Sequence, residues 1–338
     1  MSNVTLQVSL APTDWRHAQH ILPHQLRQWG TQVDEVLLTL DVHRSSGRFA
    51  RGWKEGEERI QALIRECSER HPHVRAEEID YGENVQQRIA EKYFGRSSLP
   101  AKDYRGGPFY TYFYGIHVAG SRWVLHLDSD MMFGGGSQKW VDQAIEVLKA
   151  DTNILVCSPL PGPPMNEDGL RTQTAPSYSG LPNAFRFSTV STRLFLLDEQ
   201  RLRTQICPLR LRYPSFRNIV KATVEGNPSY DLPENILSDA MKECGLSRVD
   251  FLGRSPGMWS LHPPYRNEEF YQRLPEIVER IEEGVVPVEQ RGDHDLNDSM
   301  VDWSDEREAI RRNRWWKRLW RKACKRVANQ VGSLTEPK

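Results

Sequence analysis

Cysteine is scarce in this chain. The five present, Cys67, Cys157, Cys207, Cys244 and Cys324, are odd in number, scattered, and without the paired spacing of a zinc site. They read as reduced thiols that fill space, which excludes a disulfide scaffold and a thiolate metal centre. No run of about 18 consecutive apolar residues occurs, so no spanning helix is expected. The opening MSNVTLQVSL lacks the charged start, apolar run and small-residue cleavage site of a signal peptide, so a cytoplasmic chain is expected. There is no internal repeat. Net charge is also absent, at 45 Lys+Arg against 45 Asp+Glu, but the balance hides an asymmetry. Residues 307–338 hold eleven Lys/Arg against two Glu, a charge of +9, which leaves −9 on the preceding 306 residues. One end is built for an anionic partner. With 38% hydrophobic and 27% charged residues, the remainder has the composition of an ordinary globular protein.

Hydrophobic patterning supplies the fold class. A strand is expected at Val4–Leu10, broken at Ala11-Pro12-Thr13-Asp14 and followed by a helix through Gln28. A second apolar strand, Val36–Val42, ends in the polar turn His43-Arg44-Ser45-Ser46-Gly47. An amphipathic helix over about Glu57–Arg70 and a third strand, Val74–Ile79, complete a strand-helix alternation. That alternation marks an α/β, mostly parallel sheet flanked by helices, whose ligands bind beyond the carboxyl ends of the strands. Arg105-Gly106-Gly107 leads into an aromatic helix, about Phe109–Val118, expected in the core. Next comes the strand Trp123–Leu127, with His126 inside it assigned to the core, ending in Asp128-Ser129-Asp130. Two carboxylates one residue apart on an extended chain project the same way and would share one hard cation. A lone Asp-x-Asp also decorates ordinary solvated turns.

Further on, Lys139–Ala150 reads as a helix and Ile154–Ser158 as a strand. Pro159 to Pro182 reads as a substrate-facing loop, and Arg186–Leu197 as strands. A Pro-bounded helix runs from Pro233-Glu234-Asn235 to Gly245, and short strands at Val249–Leu252 and Met258–Leu261 end at His262-Pro263-Pro264. Arg186 and Arg193 are weaker candidates for phosphate or acceptor.

An apolar strand ending in Asp-x-Asp and preceded by a Gly-started helix resembles the GT-A glycosyltransferases, specifically the large inverting family two. The resemblance runs in order through residues 4–264: the turns after the first two strands, the Gly-Gly helix, Asp128-Ser129-Asp130, the Pro233-Glu234 helix and His262. It implies a nucleotide-sugar donor (UDP-, GDP- or dTDP-sugar) and a Mn2+ or Mg2+ ion on the donor diphosphate. Asp130 would be the direct ligand, with Asp128 on the ribose or on the ion through water. His262 would complete the coordination or merely cap a loop. Glu234 would be the general base, although Pro233 stands where the family has the first of two acids, and Asp239 is the reserve. Glu234 also suits a plain helix N-terminus. Pro12, Asp14, Asp41 and Arg44 fall where the family grips base and ribose, and Arg105, Gly106 and Gly107 where it approaches the diphosphate, with Ser129 between the acids. The processive members' Gln-x-x-Arg-Trp motif is absent, so addition of a single sugar is expected. Leu10-Ala11-Pro12-Thr13 is not the Gly-rich loop of a sugar-nucleotide pyrophosphorylase. A non-enzymatic alternative is a membrane-bound adaptor whose transferase site has decayed.

The expected domains are a catalytic unit over 1–283, with its nucleotide-sugar half at 1–133 and its acceptor half at 134–283. An acidic linker, 284–306, and a basic amphipathic extension, 307–338, follow. Ile310–Val331 projects as a helix with Trp316 and Trp320 on one side and Arg318, Arg321 and Lys322 on the other. That pattern suits the surface of an anionic bilayer at the membrane's inner face and an acceptor that is lipid-linked. The acidic core and the lack of a recognition motif argue against nucleic acid. The plainer alternative is a helix packed on the catalytic unit.

Overall fold

The computed structural model describes residues 3–44, 52–165 and 169–312. Strand β1 (Val4–Leu10) is almost wholly buried, as an apolar strand must be when helices cover both faces of its sheet. A single 3-10 turn, Pro12–Asp14, leads from it into α1 (Trp15–Trp29). Then come β2 (Glu35–Leu40), α2 (Trp53–Arg70), β3 (Val74–Glu78), α3 (Glu83–Phe94), α4 (Tyr110–Ala119), β4 (Trp123–Asp128) and the short β5 (Met132–Gly134). The second half holds α5 (Trp140–Ala150), β6 (Ile154–Pro161), β7 (Ala184–Phe187), β8 (Leu194–Asp198), α6 (Glu199–Arg201), α7 (Phe216–Glu225) and α8 (Pro233–Glu243). It closes with β9 (Ser247–Phe251), β10 (Trp259–Leu261), α9 (Glu268–Glu282) and α10 (Ser304–Arg312).

The sheet runs β3-β2-β1-β4-β8-β6-β10-β5, with β9 beside β6 and β7 beside β9. β3, β2, β1 and β4 are mutually parallel. β8 is antiparallel to both β4 and β6, while β6 is parallel to β9 and, at its far end, to β10. This is an α/β, mostly parallel sheet flanked by helices. The carboxyl ends of β1, β2, β4, β6 and β10 therefore open on one side, joined there by the start of the reversed β8.

Local sequence explains how the mouth is built. α4 is apolar nearly all round, so it is buried nearly all round, with Phe109, Tyr110 and Phe113 wholly enclosed. His126 belongs to the core: its Nδ1 meets Gln7 Oε1, Gln7 donates to Thr39 Oγ1 at 2.7 Å, and the ring stacks on Phe195 at 4.8 Å. Gly56 of α2 lies against the Pro12 turn so closely that a Cβ would stand 1.7 Å from the Pro12 carbonyl oxygen. That glycine fixes where the turn after β1 sits. Among the described residues, Cys67, Cys157, Cys207 and Cys244 are free thiols, and no helix is long and apolar enough to cross a membrane.

The expected linker over 284–306 is not one. Leu296, Met300, Val301 and Trp303 are buried and pack with Phe270 and Leu274 of α9 in one apolar cluster. Gly162, at φ +90°, lies against the backbone of Asp293, where a Cβ would be 2.4 Å from a carbonyl oxygen. The acids that make the segment look like a linker, such as Asp298 and Asp302, face solvent, while the intervening apolar residues bind it to the domain. Of the expected basic helix, only its first turn falls within α10. Trp316, Arg318, Trp320, Arg321 and Lys322 lie outside the described residues.

Candidate active site

β4 ends at Asp128, and Ser129 and Asp130 form a turn closed by the Met131 amide donating to the Asp128 carbonyl at 3.3 Å. The alternation expected of an extended strand therefore stops before Asp130, and the two carboxylates meet different neighbours. Asp128 is partly exposed, with Tyr112 Oη 3.4 Å and His126 Nε2 3.5 Å from its Oδ1. Asp130 is buried at 2% exposure. Its Oδ2 accepts from the Arg266 guanidinium and lies 3.4 Å from His262 Nε2, while its Oδ1 is buried with no hydrogen-bond partner.

Asp14, in the turn after β1, faces the same guanidinium at 3.6 Å. It accepts from the Ala11 amide and from Ser129 Oγ, each at 3.0 Å, and Ser129 Oγ in turn meets His17 Nε2 at 3.0 Å. Burial pushes the Asp14 carboxyl up to about 6, against the pull of Arg266. Burial would do the same to Asp130, but Arg266 and His262 outweigh it and hold that carboxyl well below the usual range. His262 shows the converse: burial alone would lower it, yet Asp130 and Asp295 raise it above its ordinary value. Asp295 Oδ1 takes the other ring nitrogen of His262 at 3.2 Å.

This donor set suits a hard divalent cation. A buried carboxylate oxygen without a partner stands beside an imidazole whose far nitrogen is held by a second carboxylate, the usual support of a ligating histidine. No group of three or more ligating side chains converges among the described residues. Mg2+ and its relatives are commonly held by one or two protein groups together with substrate phosphates and water, so two ligands are enough.

The remaining expected donor residues are dispersed along the same mouth. Asp41, just past β2, is buried and accepts from the Lys102 ammonium, from Tyr81 Oη at 2.9 Å and from the His43 amide at 2.9 Å. Pro12 is buried in its turn, and Arg44 is exposed at the edge of the described residues. Arg105, Gly106 and Gly107 form a tight loop between bridged Lys102 and Pro108. Asp103 Oδ1 accepts from the Arg105 amide at 2.7 Å and the Gly107 amide at 2.9 Å. Gly106 there has φ +77°.

Beyond Met131 opens a cavity of about 290 Å³, lined among others by Ser158, Gln173, Arg193, Glu234, Arg248 and Asp250. Glu234 reaches it from the first turn of α8, where Pro233 sits at the N-terminus. Its nearest hydrogen-bond donor is the Thr192 amide at 3.5 Å. Asp239 is placed otherwise: it pairs with Arg212 and is not part of the cavity wall. Arg193 lines the cavity, whereas Arg186 is tied to Asp151 at 2.7 Å.

Arg266, His17, Lys102 and Asp295 escaped the sequence reading. Arg266 follows His262 by four residues across Pro263-Pro264, and Asp295 sits in the stretch whose acid content suggested a linker. Neither shows its partner locally, because both contacts are made by tertiary packing. No family model matches the chain, and no curated protein matches it. Among solved structures the chain is similar to S. aureus TarS 1-349. With the crystal structure in complex with UDP-GlcNAc it shares 10% identity over 80% of this chain and 60% of that one, at a TM-score of 0.37. With the complex with UDP the values are 12%, 82%, 65% and 0.38, and with TarS 1-349 described without a ligand 12%, 72%, 64% and 0.33. The chain spans less than two thirds of the length of each of these chains.

Proposed function

We propose that this chain transfers a single sugar from a nucleotide-sugar donor to an acceptor hydroxyl, with inversion and with Mn2+ or Mg2+ on the donor diphosphate. One observation carries the reading. Asp130, at the carboxyl end of a central parallel strand, is a buried carboxylate with one unpartnered oxygen, facing His262 and adjoining the cavity that holds Glu234. Asp130 and His262 would hold the metal, whose charge offsets that on the departing diphosphate. Arg266 adds a second positive charge on the same side. Asp128 serves the ribose, Pro12, Asp14, Asp41 and Arg44 the base and ribose, and the Arg105-Gly106-Gly107 loop the diphosphate.

Glu234 acts as general base. Its carboxylate takes the proton of the acceptor hydroxyl, whose oxygen attacks the anomeric carbon as the bond to the diphosphate oxygen breaks. Attack from the face opposite the leaving group inverts the configuration. Asp239 is reserved as an alternative base, its pairing with Arg212 weighing against it. The acceptor is proposed to be lipid-linked, met at an anionic membrane face by the basic tail containing Trp316, Arg318, Trp320, Arg321 and Lys322.

Slow donor hydrolysis across UDP-, GDP- and dTDP-sugars, with Mn2+, with Mg2+ and with chelator, tests the reading. One donor should be turned over with metal and not with chelator. Turnover unaffected by chelator would remove the metal from the mechanism, and no turnover of any donor would favour the adaptor.

A further inference from the structure

Seven large hydrophobic side chains are exposed among the described residues, and four of them fall in one short stretch: Tyr213 at 68%, Phe216 at 80%, Val220 at 37% and Val224 at 41%. Phe216, Val220 and Val224 are spaced by four residues on α7, so they form one stripe. The only residue of that helix buried in the fold is Ala222. At 100° per residue, Arg217 and Lys221 flank the stripe on one side, and exposed Arg210 and Arg212 precede Tyr213.

The stretch is held in place at both ends. The Leu209 amide donates to the Tyr93 carbonyl at 2.7 Å and the Asp231 amide to the Arg212 carbonyl at 2.9 Å. The Tyr213 ring stacks on Tyr230 at 5.5 Å, and the Tyr230 carbonyl accepts from the Tyr104 amide at 2.9 Å. The segment carrying α7 is thereby tied to Tyr104, next to the Arg105 loop, and leads into α8, whose first turn carries Glu234 into the cavity.

We propose that α7 lays Tyr213, Phe216, Val220 and Val224 into the surface of an anionic lipid bilayer, with Arg210 and Arg217 at the headgroup phosphates. An apolar stripe rimmed by cations is the pattern of an interfacial helix. A second copy of this chain is a poorer occupant, because a two-fold pairing sets the same basic rim against itself. Four side chains also fall short of the roughly 800 Å² that a stable protein interface takes from each partner. The proposal rests on the membrane side of the proposed function and is independent of the transfer chemistry. It adds a second contact, separate from the basic tail.

The test uses the full chain, co-sedimented with vesicles of phosphatidylcholine alone and of phosphatidylcholine mixed with phosphatidylglycerol. The native chain should bind the mixed vesicles. Phe216→Asp should bind them about tenfold more weakly or worse, Phe216→Leu should bind as the native chain does, and Arg217→Glu should weaken binding most at low salt. Donor hydrolysis in solution and the thermal transition of Phe216→Asp should match the native chain, separating a lost surface contact from a lost fold. Native binding by Phe216→Asp and by Val220→Asp would overturn the proposal, as would a native dimer that Phe216→Asp dissociates. Absence of hydrolysis in every variant, with the vesicle result intact, would count against the transferase reading alone.

Discussion

The two sides of the sheet's mouth handle charge differently. On the β1–β2–β4 side each buried acid is held by a cation brought from elsewhere in the chain: Asp41 by Lys102, and Asp130 and Asp14 by Arg266. On the β6–β8–β9 side, Arg248 and Asp250 form an ion pair at 2.9 Å, and among the described residues the hydrogen-bond donor to Glu234 is an amide at 3.5 Å. Arg266 and His262 hold the Asp130 carboxyl well below the usual range despite its burial, as a metal ligand requires, whereas burial keeps Asp14 raised to about 6. A carboxylate left without a cationic partner is suited to exchanging a proton. We therefore propose the donor side as a binding surface and the cavity side as the place for the base.

The strongest way to break this contrast is Glu234→Gln. It should lower turnover by about 10²–10⁴-fold while donor affinity by calorimetry stays near native, and Asp239→Asn should leave turnover nearly unchanged. A reversal of the two variants would move the base to Asp239. Next in size is Trp303→Ala, which tests whether the 285–303 segment braces the donor side. It should cost about 3–5 kcal/mol in urea unfolding, against nearly nothing if the segment were a linker.

A smaller effect is expected from Asp295→Asn, which loosens His262 without touching Asp130. Mn2+ affinity, followed by the paramagnetic resonance of the free ion, should fall about 10–100-fold, and an unchanged affinity would remove His262 from the metal site. The smallest concerns the clamp between α1 and α9. The Phe133 amide donates to His24 Nε2 at 2.9 Å, so Nδ1 carries the proton and donates to Glu282 at 2.6 Å. That bond, with the help of Arg27, lowers the Glu282 carboxyl to about 2. A depressed acid stabilises the fold above its unfolded value of 4.5 and loses that contribution as pH falls toward about 2. With solvent screening, Glu282→Gln should cost about 1 kcal/mol at neutral pH, and the difference from native should vanish at the acid end of that window.

The parallel strands were legible because apolar runs buried on both faces leave little else for the chain to do: β1 lies at the expected Val4–Leu10, and β4 at the apolar run from Trp123 to Leu127. α9 was not read, although Phe270, Leu274, Ile277, Val278 and Ile281 have helical spacing, because Pro275 interrupts the pattern. α3 and α7 were likewise not expected from the sequence. Within the site, Asp130, His262 and Glu234 stood out by their position at element ends. Their partners did not: the ion pair of Asp130 with Arg266 spans 136 residues and that of Asp41 with Lys102 spans 61, and no local pattern encodes either.

The most direct test of the central claim is calorimetric titration of the native chain and Asp130→Ala with the donor nucleotide, with and without Mn2+. The account predicts binding by the native chain that requires the metal and that Asp130→Ala abolishes. Equal affinity of both proteins in the presence of Mn2+ would contradict it.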